Sequence, residues 1–371
     1  MSLNDVTVGD VISKLEERAP ASFAFDWDNV GLQVGSKKQT VKKVMVTLDV
    51  LERVVDEAIE NDIDLIIAHH PLLFVKLDKI DVSTPKGRTI QKLLTHNICV
   101  YASHTNLDIA QGGVNDVMSE LLEIEDAKPL IETKKDNLIK LAVYVPDTHV
   151  DRVRDAISEA GAGHIGNYSH CTYQVNGEGT FKPQAGSEPY IGNQGELEKV
   201  QEKRIETILP KSSLPQVLDA MFTAHPYEEA AYDLYPLLNE GSSEGVGRIG
   251  SLKNPVTLKK LCERVKEKYN ISSLRFVGDP EQMVQRVAVL GGSGEKYYAA
   301  ALNQGADVYI TGDMTFHLAQ EAEEDGLAVI DPGHHVEKVM MPELKKWIKS
   351  CFETDVQVMI SQSNTEPFRF S

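Results

Sequence analysis

Cysteine is scarce in this sequence, and long apolar runs are missing. The four cysteines are widely spaced and form no CxxC pair, which argues against a disulfide framework or a zinc knuckle and favours reduced, mostly buried thiols. No apolar run approaches the roughly 18 residues that a membrane-spanning helix needs. The opening segment MSLNDVTVGD lacks the basic-then-apolar pattern of an export signal. We therefore expect a soluble, cytoplasmic protein with no membrane partner.

Basic residues are also few relative to acids, with 38 Lys and Arg against 56 Asp and Glu and a formal net charge of −18. Such a surface repels phosphate backbones and disfavours non-specific nucleic-acid binding. A small anionic substrate remains compatible with this negative charge, because bound metal ions can dominate the local electrostatic field. No GxSxG motif or Cys/His pair marks a covalent nucleophile.

The length of 371 residues, 42% of them hydrophobic, predicts two domains with real cores. Two segments, residues 41–70 and 284–313, show the same strand–helix–strand pattern, typical of a parallel βαβ unit. With a gapless offset of 243 residues, Asp64 aligns with Asp307 and His70 with Asp313. Shared βαβ composition can produce part of this similarity, but the unbroken register favours a duplicated unit.

The middle of the chain follows a different pattern. Strands are expected at residues 138–145, 203–209 and 230–237, and helices at 150–160 and 214–225. A long Gly-rich polar stretch fills residues 161–195. This order resembles β-α-β-β-α-β and predicts an inserted ferredoxin-like α+β domain.

The fold class is therefore α/β, with a duplicated βαβ-type discontinuous domain and an α+β insert. Residues 1–130 and 245–371 form the discontinuous domain, and residues 137–236 form the insert. Residues 239–245 are interpreted as the return linker. After it, a helical period over 341–351 precedes a strand at 356–360.

The pair His69-His70 ends the apolar strand-like run that begins at Asp64. At a strand end the chain can turn and direct two adjacent side chains into one crevice, although within a strand they would point to opposite faces. Two imidazoles at the carboxyl end of a buried strand suit a metal site in an α/β protein. A solvated turn explains an isolated His-His-Pro equally well, so the remaining motifs decide.

Further ligand-type side chains follow other apolar strands. Asp108 and His104 follow one strand, with Asp108 a natural ligand or bridge and His104 a ligand, proton shuttle or supporting group. His334 and Glu337 follow another and, three residues apart, share one helical face. His335 remains an alternative to His334.

This mixed nitrogen and oxygen donor set favours an open, chemically active site over a structural zinc site. It suits two divalent ions per chain, with zinc preferred over manganese or iron.

Two more segments are expected to form walls of the same cleft. Residues 26–35 carry Trp27, for which a core position is favoured. Asp313 and His317 follow the second repeat's strand, either coordinating metal or orienting the ligands. The glycines at 291–294 favour a tight βα turn over a phosphate cradle, because the full GxGxxG spacing and a Walker lysine are missing.

Together these motifs resemble the NGG-interacting-factor-three-like family, whose bacterial members are labelled GTP cyclohydrolase type 2 homologues. The motifs that carry the resemblance are WDNVGLQVG, AHHPLLF, SHTNLD, TGDMTFH and GHHVEKVM. The segment HPYEEAAYDLYP at 225–236 resembles the insert of longer members, which is similar to the trimeric PII and CutA proteins.

The resemblance implies a dinuclear metal site and a toroidal homohexamer. It implies the metal ligands His69, His70, Asp108, His334 and Glu337, and it places His104 beside the metals.

Two functional hypotheses follow. The first is a metal-dependent hydrolase in which a metal-activated water attacks a small substrate, such as the purine ring of GTP, with proton transfer assisted by His104 or Asp313. The second is a regulatory or scaffold protein, in which the metals are structural or sensed and the insert binds a small effector. The first is preferred, although fold and site resemblance alone do not establish a reaction.

Overall fold

A computed structural model describes residues 5–241, 243–352 and 355–369. The chain divides into two compact units, the first formed by Met1–Lys134 with Glu244–Ser371 and the second by Lys135–Ser243. No helix within the described ranges is long and apolar enough to cross a membrane. The four cysteines, all within those ranges, are free, and two of them, Cys99 and Cys262, are buried.

The described α-helices are α1 (Val8–Arg18), α2 (Glu52–Glu60), α3 (Pro85–Thr95), α4 (Thr105–Ile109), α5 (Val114–Leu121), α6 (Val150–Glu159), α7 (Leu214–Ala224), α8 (Leu258–Lys268), α9 (Tyr298–Asn303), α10 (Phe316–Glu324) and α11 (Met341–Phe352). Short 3₁₀ helices span Ala21–Phe23, Asp147–His149, Lys211–Ser213, Glu295–Tyr297 and His334–Met340. The described strands are β1 (Gly31–Val34), β2 (Lys43–Thr47), β3 (Leu65–Ala68), β4 (Cys99–Ala102), β5 (Ile124–Lys135), β6 (Leu138–Pro146), β7 (Thr172–Phe181), β8 (Glu198–Pro210), β9 (Tyr232–Pro236), β10 (Ser243–Thr257), β11 (Arg275–Val277), β12 (Met283–Ser293), β13 (Val308–Gly312), β14 (Ala328–Asp331) and β15 (Gln357–Ile360).

The first unit contains two sheets, ordered β1-β4-β3-β2-β15 and β11-β14-β13-β12-β10-β5. In the first sheet β15, β2, β3 and β4 run parallel and β1 is antiparallel. In the second, β12, β13 and β14 run parallel, while β10 and β11 are antiparallel to their neighbours. Parallel strands end at the same edge of a sheet, so the residues that follow them are brought together.

The central strands are short apolar runs because both of their faces are covered. Val46 and Ile67 pack into one core cluster, and Met45 and Ile66 into another on the opposite face, as the two-residue period of a strand requires. Val289 of the second sheet belongs to the same cluster as Val46. A common core therefore joins the two sheets of the first unit.

The two sheets share one local hydrogen-bonding pattern, in which an aspartate accepts from two backbone N–H groups. The Asp64 carboxylate accepts from the backbone N–H groups of Lys42 and Lys43, both at 2.8 Å. Asp307 accepts in the same way from Gln285 at 2.8 Å and Arg286 at 2.7 Å. Each carboxylate thus joins the entry of one parallel strand to the entry of its neighbour.

The second unit is one antiparallel sheet ordered β7-β8-β6-β9, with α6 and α7 contributing to its core. Its chain order is strand, helix, strand, strand, helix, strand. Strand β7 lies inside the Gly-rich polar stretch at residues 161–195, where no strand was placed from the sequence. Two glycines and many polar residues obscure the apolar–polar alternation of this strand. The strand forms through its pairing with β8.

Two other boundaries differ from prediction. The expected linker at 239–245 is shorter, because β10 already begins at Ser243. The single helix expected between the two strands of the segment 284–313 divides into a 3₁₀ turn followed by the six-residue α9.

Candidate metal centre

The pair His69-His70 lies directly beyond β3, and its backbone continues the pairing with the segment after β2. The N–H of His69 donates to Thr47 at 3.1 Å, and that of His70 donates to Leu48 at 2.9 Å. The two ring centroids are nevertheless only 5.1 Å apart. The chain therefore turns both imidazoles towards one site, as the sequence predicts for a strand end.

Four side chains from two other segments of the first unit meet at this pair. His104 precedes α4, Asp108 lies within it, and His334 and Glu337 belong to one 3₁₀ helix. The potential ligand atoms within each group lie no more than 4.8 Å apart, and the groups are His69 with His70 and His104, His70 with His334 and Glu337, and His69 with Asp108 and Glu337. Such overlapping groups can hold more than one ion.

Two of these atoms are buried and lack a hydrogen-bond partner, namely His69 Nε2 and Asp108 Oδ1. They lie 3.5 Å apart, and Oε1 of Glu337 is 3.6 Å from the same nitrogen. Leaving a buried polar atom unpaired is costly, and native proteins rarely do so without a reason. A cation at this point would satisfy both atoms, so the donor set fits a divalent metal.

Each of the four imidazoles has its Nδ1 held by an oxygen acceptor. His69 donates to the Ser103 carbonyl at 2.9 Å. His70 pairs with Asp49 at 2.8 Å.

His104 likewise pairs with Asp28 at 2.9 Å, and His334 with Asp313 at 2.6 Å. In the neutral rings this leaves each Nε2 with its lone pair available to the site, the arrangement that metal-ligating histidines usually have.

The Nε2 atoms and carboxylates crowd one another. Nε2 of His70 lies 3.3 Å from Nε2 of His334 and 3.0 Å from Oε2 of Glu337. Although burial lowers the pKa of His70, its hydrogen bonds to Asp49 and Glu337 raise it to about 10. In the same way Glu337 and Asp313 outweigh burial and raise the pKa of His334 to about 9.

The buried carboxylates respond in opposite directions. Burial and the charge of Glu337 raise the pKa of Asp108. Burial alone would raise the pKa of Glu337 too, but the surrounding histidines lower it well below its usual value. Without a metal, the site thus favours protons on imidazoles to balance its carboxylates.

His335 points away from this cluster. Its Nε2 lies 3.0 Å from the hydroxyl of Thr365, whereas His334 reaches both His70 and Glu337. In a 3₁₀ helix, residues three apart stack over one another, which is why the ring of His334 and the carboxylate of Glu337 meet. The geometry therefore favours His334 of the two adjacent histidines.

Asp313 and His317 differ in their relation to the site. Asp313 directly follows β13 with a positive φ of 58° and contacts the ring of His334. This contact corresponds to the orienting alternative. His317 is exposed on α10, with its ring beside Phe316 rather than in the cluster. The prediction that His317 belongs to the site was wrong, because α10 turns it away.

The sequence did not single out Asp49 or assign a role to Asp28. Asp49 closely follows β2, and this position at a strand end could have identified it as a residue near the site. The side chain of Asp28 is fully buried. Although burial raises its pKa, hydrogen bonds from His104 and Thr105 lower it to about 2, so it is ionised at neutral pH.

The cluster lies in a cleft of about 1010 Å³ within the first unit. Trp27 lines this cleft and is 61% exposed, so the expected core position was wrong. Its ring contacts Phe25, Phe74 and His104 instead of core side chains.

The glycine segment after β12 also borders the cleft, as a turn. The N–H of Gly291 donates to Asn115 and that of Gly294 to Thr311, so both amides are already satisfied within the protein. Gly292 has a φ of 66°, and a Cβ there would lie 2.4 Å from Oε1 of Glu337. The glycine at this position makes room for that carboxylate.

Comparison with known proteins agrees with the motifs. The Duf34/NIF3 (NGG1p interacting factor 3) family model matches residues 6–367. A Bacillus subtilis (strain 168) protein named GTP cyclohydrolase 1 type 2 homolog is 49% identical over 363 residues, covering 97% of both chains. A relative of the same name from Halalkalibacterium halodurans is 47% identical over 363 residues, covering 97% of this chain and 98% of its own.

A solved structure has the same fold over almost the whole chain. A Bacillus cereus protein related to NIF3 gives a TM-score of 0.91 at 45% identity, covering 99% of this chain and 100% of that chain. The family predicted from the motifs is thereby confirmed, and the chain belongs to the Duf34/NIF3 family.

Proposed function

We propose that this protein is a dinuclear metal-dependent hydrolase acting on a small, nucleotide-like substrate. The observation that carries the proposal is the pair of buried, unpartnered donor atoms on His69 and Asp108, which face each other within the histidine and carboxylate cluster. The name shared by the relatives adds GTP as the first substrate to test.

In this proposal the metal ligands are His69, His70, Asp108, His334 and Glu337. The buried Glu337 would serve both parts of the donor set, because its two oxygens approach different histidines, with Oε1 3.6 Å from His69 and Oε2 3.0 Å from His70. Two divalent ions, zinc in the first instance, would polarise the substrate and lower the pKa of water when bound.

His104 is the proposed proton carrier. Its Nδ1 is held by the buried Asp28, so its Nε2 faces the cluster and can accept or return a proton. Asp313 acts through another residue, since its carboxylate fixes the ring of His334. We therefore treat Asp313 as a positioning residue rather than a proton donor.

The architecture is proposed to arise from duplication. Matching carboxylates at positions 64 and 307, together with matching strand orders β1-β4-β3-β2 and β11-β14-β13-β12, support two copies of one unit. The strand order of the second unit supports a ferredoxin-like insert. The homohexamer and the cytoplasmic location stay predictions.

The test combines metal analysis with turnover. Freshly purified protein should hold two equivalents of metal per chain, and the double variant His69→Ala/His70→Ala should lose most of it. Metal-loaded protein should hydrolyse GTP, while the variant should not. His317→Ala, which removes an exposed imidazole outside the cluster, is the matched control. Equal turnover by the parent and the double variant would refute the hydrolase proposal.

A further inference from the structure

Three aromatic side chains form one wall of the cleft beside His104. The Trp27 ring lies 5.7 Å from that of Phe25 and 6.0 Å from that of Phe74. Both Trp27 and Phe74 lie 6.1 Å, between ring centroids, from His104. The aromatic wall is therefore continuous with the metal cluster.

Two of these aromatic side chains are exposed although they line a concavity, and Phe25 is half-buried. Trp27 is 61% and Phe74 is 55% exposed. Aromatic faces in a cleft with nearby polar groups are the usual lining of small-molecule sites. An aromatic face of this kind accepts any flat ring, because stacking depends little on the identity of the base.

The same cleft contains two arginines. Arg275 donates to Asp331 and to the Met314 carbonyl, yet its side chain is 69% exposed, so much of the guanidinium faces solvent. Arg369 also lines the cleft. The other titratable lining residues, apart from Tyr297, are histidines and acids, and the acids are Asp49, Asp108, Asp313, Asp331, Glu337 and Glu366. Among the described lining residues, the two arginines are thus the side chains best suited to bind an anionic group that the metals do not hold.

The aromatic wall and Arg275 belong to different sheets. Trp27 precedes β1, the edge strand beside β4, while Arg275 begins β11, the edge strand beside β14. The cluster residues follow the inner strands β3, β4, β13 and β14. A ligand spanning the cleft would therefore meet the aromatic wall, the metal cluster and an arginine, and about 1010 Å³ is ample for a mononucleotide.

We propose that Trp27 and Phe74 stack against the planar heteroaromatic ring of a small phosphorylated ligand whose anionic group binds Arg275 and Arg369. This inference rests on the proposed function, because it assigns the ligand class of the same cleft. The acidic net charge of −18 favours a free mononucleotide over a polynucleotide.

The test uses three probes on the metal-loaded full chain: guanosine monophosphate, guanosine and ribose 5-phosphate. Calorimetric titration should show that Trp27→Ala weakens guanosine monophosphate and guanosine binding by about tenfold or more, on the scale of base stacking. Trp27→Phe should restore most of the affinity. Ribose 5-phosphate should respond instead to Arg275→Gln, which in turn should not affect guanosine.

Controls separate this proposal from the hydrolase proposal. Phe316→Ala removes an exposed aromatic outside the cleft and should change no affinity. In a Trp347→Phe background, Trp27 is the remaining tryptophan, so its emission should be quenched by guanosine monophosphate. Unchanged affinity in Trp27→Ala with a full metal complement overturns the stacking wall but leaves the metal centre intact.

Two more outcomes are decisive. A Trp27→Ala variant that alters the oligomeric mass but not nucleotide affinity overturns the proposal, because the wall would then be a contact between copies of the chain. Protein that binds no metal yet shows Trp27 quenching refutes the hydrolase proposal and supports the stacking wall.

Discussion

Loss of Asp49 should weaken metal binding even though this residue is not a proposed ligand. Its carboxylate lies 2.8 Å from Nδ1 of His70 and is 27% exposed, so solvent screens the contact only in part. Removing such an orienting carboxylate typically costs about 10- to 100-fold in metal affinity, or about 1.4–2.7 kcal/mol. We expect Asp49→Ala to fall in this range and Asp49→Asn near its lower end, because the amide oxygen still accepts a hydrogen bond.

The assay is a zinc titration of metal-free protein against a competing chelator. Because Asp49 raises the pKa of His70, its loss also reduces competition from protons, which offsets part of the effect at neutral pH. A second titration at about pH 9, where proton competition is weaker, should therefore show the larger difference. Thr365→Ala is the control, because the Thr365 hydroxyl also lowers the pKa of Asp49 but pairs with His335 rather than with His70. An Asp49→Ala affinity within about threefold of the parent at both pH values would refute the reasoning.

Three further predictions follow from the same contacts. Because the pKa values of His70 and His334 are raised to about 10 and about 9, metal must displace their protons; affinity should rise with pH through neutrality, and calorimetry in buffers of different ionisation enthalpy should detect proton release. Asp64→Ala and Asp307→Ala should each lower the free energy of unfolding by about 1–3 kcal/mol in urea titrations, because each leaves two strand-entry N–H groups without their acceptor; the duplication argument fails if only one does. Arg248→Ala breaks the buried ion pair of Arg248 with Asp116 and should lower the free energy of unfolding by about 3–5 kcal/mol in the same assay. A decrease below about 1 kcal/mol would contradict the assignment of a stabilising role to this pair.

Local patterns predicted much of the first unit. Strands β2, β3, β13 and β14 are short apolar runs, and polar residues follow them directly, so their carboxyl ends could be located from the sequence. The spacing of His334 and Glu337 predicted their shared face. Strand β7 was missed because its exposed, glycine-containing sequence gives little apolar alternation.

Other features of the site could be assigned only from the folded structure. The partner of each imidazole Nδ1 is set by which loops lie side by side, so Asp49 and Asp28 could not be assigned to their histidines from the sequence. Trp27 was expected in the core because of its apolar ring, but the loop before β1 leaves that ring exposed in the cleft.

The sequence by itself determined the strand ends, the donor residue types and the family, because each depends on residues close together in the chain. Only the tertiary structure decided which donors meet. His70 and Glu337 are 267 positions apart, yet their side-chain atoms lie 3.0 Å apart because both sheets pack on one common core. That packing also isolates Nε2 of His69 and Oδ1 of Asp108 from water and from other partners, which is the physical basis for expecting a metal there.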